Sequence, residues 1–371
     1  MNNIEQFIIN YNSLKSKDLF ARNTSITITA NTPCNLACKY CYVMSCTNQQ
    51  LLEFKPEKLE PVLKTFSNRT NENIGIWAGE PLFSKELFVN LCELINKNLP
   101  NHDITIYTNG TLLNDWWADF FKEHQVLVKI SHDGPGQKFR GPDYLKSETQ
   151  VKALQKMYEN GSLCGVNTTI HKYNCSFNDI INYFAKFEKE SGIKFTTQSR
   201  CQVGLNLANE IVYNFDEMDT GLFNFIVDTY TFLFKKLLNS TIDDALKYFP
   251  ADTILDTLPI LRLILGLPTN NENDTCYKKA IAIDGSPFCV YGVYGKNLPD
   301  ECYSDQHTIH KPPLKCSSCI MFDVCPYKTC LRVSSSNDAC EKSIIRYKTI
   351  RAALEYFIQQ IQSTGMVLPN E

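Results

Sequence analysis

The sequence has no surplus of positive charge: 37 Lys and Arg stand against 40 Asp and Glu, a formal net charge of -3. A nucleic-acid-binding face normally shows a basic stripe, so a folded nucleic acid such as tRNA is not the expected partner. No run of about 20 apolar residues is present, which excludes a membrane-spanning helix. The first residues, MNNIEQFIIN, contain an acid, no basic n-region and too short an apolar run for a secretory signal. Internal repeats and low-complexity tracts are also missing. What remains is an ordinary globular composition, 43% apolar over 371 residues. That length suffices for a large catalytic domain and a smaller companion.

Cysteine is abundant by contrast, at sixteen residues. A long chain without a secretory segment argues against a disulfide framework, and for reduced thiols that serve metals in a cytoplasm. Three of them sit in one short stretch, SITITANTPCNLACKYCY, residues 25–42. Its β-branched start reads as a buried strand, which Asn31, Thr32 and Pro33 stop. The loop that follows carries Cys34, Cys38 and Cys41, spaced C-x3-C-x2-C. Three thiolates on such a loop can hold three irons of a cubane cluster and leave the fourth iron open. A zinc knuckle is the competing reading, although zinc sites usually pair cysteines as C-x2-C and need four ligands. A fortuitous cluster of buried thiols is another.

From Ser25 onward strand and helix patterns alternate, which predicts parallel β/α units. Expected strands are 25–30, 74–79, 104–108, 126–131, 164–170 and 194–199. Expected helices are 57–67, 84–97, 114–124, 148–160 and 178–190. In 84–97, Leu87, Phe88, Leu91, Cys92, Leu94 and Ile95 form one apolar face. Six units predict an α/β fold of the partial (β/α)6 TIM type. The expected organisation is a lead-in over 1–24, a barrel over 25–215, a helical bridge over 216–270, a cysteine-rich domain over 271–345, and a C-terminal helix and tail over 346–371. The last cysteines follow the pattern Cys276, Cys289, Cys316-x2-Cys319-x5-Cys325-x4-Cys330, then Cys340. So small a core needs its metals to fold. C-x2-C-x5-C also suits structural zinc. Cys46, Cys92, Cys164, Cys175 and Cys201 read as small buried hydrophobes.

Chemistry in β/α barrels sits at the C-terminal ends of the strands, and polar residues fall there. Strand two ends in Trp77-Ala78-Gly79-Glu80-Pro81, strand three in Tyr107-Thr108-Asn109-Gly110, and strand four in Ser131-His132-Asp133-Gly134-Pro135. Side chains alternate along a strand, so Ser131 and Asp133 share a face and His132 takes the other. If the pair faces the barrel interior, His132 is a packed, hydrogen-bonded histidine. Arg140 follows in the glycine-rich segment 136–141, either as a solvated loop residue or as an anion partner. Asn167, Thr169, Gln198 and Arg200 are weaker strand-end candidates.

The cysteine loop with Tyr40 before its last cysteine resembles the signature of radical S-adenosylmethionine (radical SAM) enzymes, and the terminal cysteines resemble the SPASM domain of their peptide-modifying and sulfatase-maturing branch. Ala78 replaces the first Gly of that family's Gly-Gly-Glu-Pro motif. The Cys325–Cys330 spacing is one residue longer than usual, and the Gly285-to-Cys289 gap one shorter.

The resemblance implies that Cys34, Cys38 and Cys41 hold a [4Fe–4S] cluster that binds S-adenosylmethionine. Tyr40, Gly79, Glu80, Asn109, Ser131, Asp133 and Arg140 would surround the cofactor, with Glu80 near the methionine amino group, Ser131 and Asp133 beside the ribose, and Arg140 on the carboxylate. Cys316, Cys319, Cys325 and Cys340 would hold one auxiliary cluster. Cys276, Cys289 and Cys330 would hold a second, completed by Cys302 or left open for substrate.

The chemistry implied is hydrogen abstraction by a 5′-deoxyadenosyl radical from a residue of a ribosomally made peptide, then oxidative cross-link or thioether formation. Expected partners are that peptide or protein and an electron donor such as flavodoxin or ferredoxin. Because 1–24 is too short for a peptide-binding domain, any leader peptide is expected to be captured by a separate leader-peptide-binding protein or by the barrel rim. Sulfatase maturation, which makes formylglycine from Cys or Ser, is the alternative. Its enzymes place a basic Asp after the second auxiliary cysteine, where this chain has Val290. A metal-bearing regulatory protein without turnover is the reading from another class. No catalytic base is assigned.

Overall fold

The structure, a computed structural model, describes residues 24–29, 33–41, 53–67, 73–77, 79–171, 174, 176–195, 202–207, 279–284 and 287–288, together with helical residues 227–228, 231, 263–264, 347–348, 350–356 and 359. Ala78, Gln198, Arg200, Gly285, Val290 and the cysteines at 46, 175, 201, 276, 289, 302, 316, 319, 325, 330 and 340 lie outside the described residues.

Strands and helices alternate as β1 (Thr24–Thr29), α1 (Pro56–Lys64), β2 (Asn73–Trp77), α2 (Lys85–Asn98), β3 (Asp103–Thr108), α3 (Asp115–Glu123), β4 (Val126–Ser131), α4 (Glu148–Glu159), β5 (Leu163–Ile170), α5 (Phe177–Ser191) and β6 (Gln202–Leu207). The six strands pair in parallel in sequence order. All their C-terminal ends therefore meet at one rim. A further strand, β7 (Lys279–Ala282), adds in parallel to the outer edge of β1, and β8 (Pro287–Phe288) turns back on it. The β7 end is tied in twice: Ile283 N–H donates to Thr29 O at 3.2 Å, and Lys55 N–H to Ile283 O at 3.1 Å.

Local chemistry explains the helices. Ser84 caps α2 by accepting from Leu87 N–H, Asn114 caps α3 through Trp117 N–H, and Ser176 caps α5 through Asp179 N–H. Pro56 opens α1, and Gly192, at φ 77, ends α5 in the left-handed conformation. Phe88, Leu91, Cys92 and Ile95 of α2 are buried in the core, where Phe88 packs on Trp117, Phe120 and Phe121 of α3. Each such side chain contributes on the order of 1.5–3 kcal/mol.

One expected strand is corrected. The strand that follows α5 is described at 202–207, and of the expected strand 194–199 the two described residues, Lys194 and Phe195, are in no strand. Ile193 and Phe195 are fully buried, with Phe195 packed on Phe184 and Phe187 of α5. Phe195 thus belongs to a loop that folds back on its own helix. Of the remaining cysteines, Cys92 is a core residue, and half-buried Cys164 donates its thiol to Val128 O.

Candidate active site

The loop after β1 brings Cys34, Cys38 and Cys41 to the rim as half-buried free thiols. Backbone bonds shape it: Cys41 N–H donates to Cys38 O at 3.1 Å, and Leu36 N–H approaches Cys34 Sγ at 3.5 Å. Other strand ends then hold the loop in place. Glu80 N–H reaches Pro33 O, and Lys39 N–H reaches Phe139 O. Asn109 Nδ2 donates to Asn35 Oδ1 at 2.8 Å and lies 3.8 Å from Cys34 Sγ, while Asn35 Nδ2 donates to Thr111 Oγ1.

Tyr40 reaches furthest. Its hydroxyl donates to Asp133 Oδ2, its ring stacks on His171 at 4.8 Å, and the Arg140 guanidinium lies 5.6 Å from its centroid.

Asp133 is fully buried, and its Oδ1 accepts from Arg140 Nη2 and Thr169 N–H, each at 2.9 Å. Arg140 also donates to Thr169 Oγ1 at 3.2 Å, and its side chain is only 10% exposed. The solvated-loop reading of Arg140 is therefore overturned. Burial disfavours its charge, but the Asp133 carboxylate more than restores it, so the guanidinium stays cationic. Its buried Nε has no hydrogen-bond partner among the described residues.

Glu80 is likewise fully buried. Its Oε1 accepts from Thr108 Oγ1 at 2.7 Å and Leu82 N–H at 3.1 Å, and its Oε2 from Asn109 N–H at 2.7 Å. Burial pushes its carboxyl up to about 7 against those donors. Gly79 before it has φ 65, a left-handed conformation that suits glycine. Gly110 after β3 has φ 78, and a Cβ there would overlap the Tyr144 ring, whose hydroxyl supports Ser131 O at 3.1 Å.

His132 faces the helices, as strand alternation predicts. It is fully buried and stacks on Tyr183 of α5 at 5.3 Å. Its Nδ1 accepts from Gly134 N–H at 3.0 Å, which makes Nε2 the protonated nitrogen, donating to Asp143 at 2.9 Å. Burial holds its pKa below the usual imidazole value, so the ring is neutral. Burial opposes ionisation of Asp143 too, but donors from His132, Lys146 and Tyr183 prevail and keep its carboxyl well below the usual range.

Residue type decides what the loop can bind. Among the described residues no three His, Cys, Asp or Glu side chains converge on a point fit for one metal ion. A cubane gives each cysteine its own iron and spaces the sulfurs more widely than one zinc would. Burial raises the Cys34 thiol and lifts that of Cys38 to about 11. Such thiols bind as thiolates only when a metal displaces their protons. The donor set thus fits a three-cysteine cluster better than a zinc knuckle.

Residues 31–184, from just before the cysteine loop to α5, match the profile described as the Radical SAM superfamily. The chain carries a radical SAM domain. That domain holds every strand-end residue described above. Across the wider chain, a cysteine-type anaerobic sulfatase-maturating enzyme of Clostridium perfringens is 28% identical over 289 residues, 72% of this chain and 74% of that relative. Two solved structures share the fold. The anaerobic sulfatase-maturating enzyme anSMEcpe with bound AdoMet matches with a TM-score of 0.57 at 19% identity, covering 90% of this chain and 98% of that one. SuiB of Streptococcus suis, bound to its precursor peptide SuiA, matches with a TM-score of 0.56 at 15% identity, covering 88% and 76%.

The radical SAM domain brings the cysteine loop, Tyr40, Asn109, Asp133 and Arg140 into one bonded cluster, with Glu80 bridging β2 and β3 beside it. Ser131 is tied instead to Tyr144, its carbonyl accepting from that hydroxyl at 3.1 Å. His171 and Asn35 were not predicted. His171 directly follows β5, a place where the strand-end rule could have found it. Asn35 carries no signal beyond its position in the loop.

Proposed function

We propose that this chain is a radical SAM peptide maturase that takes a hydrogen atom from a residue of a ribosomally made peptide and oxidatively forms a cross-link or thioether. The observation that carries the reading is the loop of three free thiols, braced by β2, β3 and β4 ends within a radical SAM domain. Cys34, Cys38 and Cys41 would hold a [4Fe–4S] cluster and leave one iron for S-adenosylmethionine. Bound there, the pair would supply an electron and a 5′-deoxyadenosyl radical able to abstract hydrogen from unactivated carbon.

This chain's own residues would bind and orient. The unpartnered Arg140 Nε offers a buried cationic donor to the methionine carboxylate. Gly79 lets the backbone before Glu80 approach the methionine amino group. Tyr40, Asn109, Ser131 and Asp133 would fix the cofactor's position, and position decides which substrate hydrogen is within reach. Cys316, Cys319, Cys325 and Cys340, and Cys276, Cys289 and Cys330, would hold two auxiliary clusters. A flavodoxin or ferredoxin would deliver electrons. A peptide substrate agrees with the precursor-peptide complex of SuiB, a protein of the same fold.

Sulfatase maturation is the second reading, favoured by the similarity to the Clostridium perfringens enzyme. Val290 stands against it, in place of that branch's basic Asp. The test incubates anaerobically reconstituted protein, S-adenosylmethionine and reductant with two sets of peptides: candidate precursors, and peptides carrying a sulfatase motif. Loss of two hydrogens from a precursor, without an aldehyde, is the expected result. An aldehyde on the sulfatase peptide would replace the first reading with the second.

A further inference from the structure

The sequence resemblance makes Asp133 a cofactor neighbour, yet its carboxylate is already engaged by the chain itself. Oδ1 accepts from Arg140 and from Thr169 N–H, and Oδ2 from the Tyr40 hydroxyl, with His171 Nε2 4.0 Å away. These donors come from the cysteine loop, from the turn after β4 and from the end of β5. Tyr40 is the only one of them in the loop, and it lies between Cys38 and Cys41.

We infer that Asp133 is a positioning residue for the cysteine loop: through Tyr40 it clamps the Cys38–Cys41 segment onto the ends of β4 and β5 and so sets the environment of whatever metal those cysteines hold. The inference rests on the proposed cluster at Cys34, Cys38 and Cys41. Three features make the clamp directional. The hydrogen bond from Tyr40 ends on a buried carboxylate, the stronger, charge-assisted kind. The Tyr40 ring is fixed by the His171 stack and the nearby guanidinium, so the hydroxyl has little freedom. Two more contacts run alongside: Lys39 N–H to Phe139 O, and Leu36 packed where any side chain on Gly141 would stand. Charge adds to geometry, because Asp133 neutralises Arg140, whose positive charge acts on Cys38. Outer-shell partners of this kind orient ligands and tune a metal, and losing one typically costs about 10–100-fold in metal affinity or activity.

The experiment uses the full chain, anaerobically reconstituted and without S-adenosylmethionine. The variants are Tyr40→Phe, Asp133→Asn and the pair. The readout is the midpoint potential and electron paramagnetic resonance spectrum of the cluster signal that vanishes when Cys34, Cys38 and Cys41 are all replaced by Ala. Thermal melts accompany it. Asp133→Asn should raise the potential, since removing a negative charge beside a cluster favours the reduced state. Tyr40→Phe should change potential and spectrum in its own right, and the pair should show both changes, because the amide oxygen introduced by Asp133→Asn can still accept from the Tyr40 hydroxyl. Lower melting temperatures with a wild-type potential and spectrum in Tyr40→Phe would reduce the contact to a structural hydrogen bond and overturn the inference. Tyr40→Phe keeps the ring and decides the matter even if Asp133→Asn does not fold. A wild-type chain that takes up no cluster would overturn the proposed function as well, which separates the two failures.

Discussion

Glu80 shows how one residue can hold two strands together and still titrate near neutrality. Its carboxylate joins the end of β2 to the end of β3 through Thr108 and Asn109, in a site from which water is excluded. Burial raises its pKa from 4.5 to about 7, so the folded protein holds the proton more tightly than the unfolded chain does. Between those values the native state therefore binds more protons. The carboxyl favours folding fully below about 4.5, and that contribution is lost as pH rises through about 7. Glu80→Gln cannot titrate. The melting temperature of the wild type relative to Glu80→Gln should accordingly fall as pH is raised across this window. A difference that stays constant with pH would show that the three donors cancel the burial effect.

At the scale of elements, His132 joins β4 to the turn at 134–139 and to α5, by way of Gly134 N–H, Asp143 and Tyr183. His132→Phe would keep a stacking ring but leave the buried Gly134 N–H unmatched, while Asp143 keeps its donors from Tyr183 and Lys146. We expect it to lower stability by about 1–3 kcal/mol in denaturant unfolding, the cost of one buried group left unsatisfied. Turnover per folded, cluster-loaded molecule should be little changed. Unaltered stability with abolished turnover would instead make His132 catalytic.

The same scale shows what a sequence can and cannot disclose. Helix α2 and strands β1 to β5 were legible because their periods are local and strong, and the side of the strand taken by His132 followed from alternation alone. Strand β6 was expected too early: Phe195, at the start of the expected strand, packs on Phe184 and Phe187 of α5 instead of pairing in the sheet. Strand β7 gave no signal. It is four residues long, and its partner Ile26–Thr29 lies far away in the chain, so nothing nearby marks the pairing. Within the site, Cys34, Cys38, Cys41 and Glu80 were legible from spacing and motif. The role of Asn109 as a brace on Cys34 and Asn35 was not, because it arises only when β3 and the loop meet.

For the whole molecule, the parallel sheet gathers the C-terminal ends of its strands at one rim, and the cysteine loop is anchored to several of them at once. Lengths of chain more than a hundred residues apart thus converge on three thiols, as when Tyr40 stacks on His171. Strand β7 extends this organisation past Cys276, since residues 279–282 complete the edge beside β1. The central claim is that these thiols hold the cluster that activates S-adenosylmethionine. Its most direct test compares the anaerobically reconstituted wild type with the triple variant Cys34→Ala, Cys38→Ala, Cys41→Ala, counting iron and sulfide and measuring 5′-deoxyadenosine. The account predicts that the variant loses about four irons, one cubane, and all 5′-deoxyadenosine release. Equal iron in both proteins, or zinc in place of iron with no 5′-deoxyadenosine from the wild type, would contradict it.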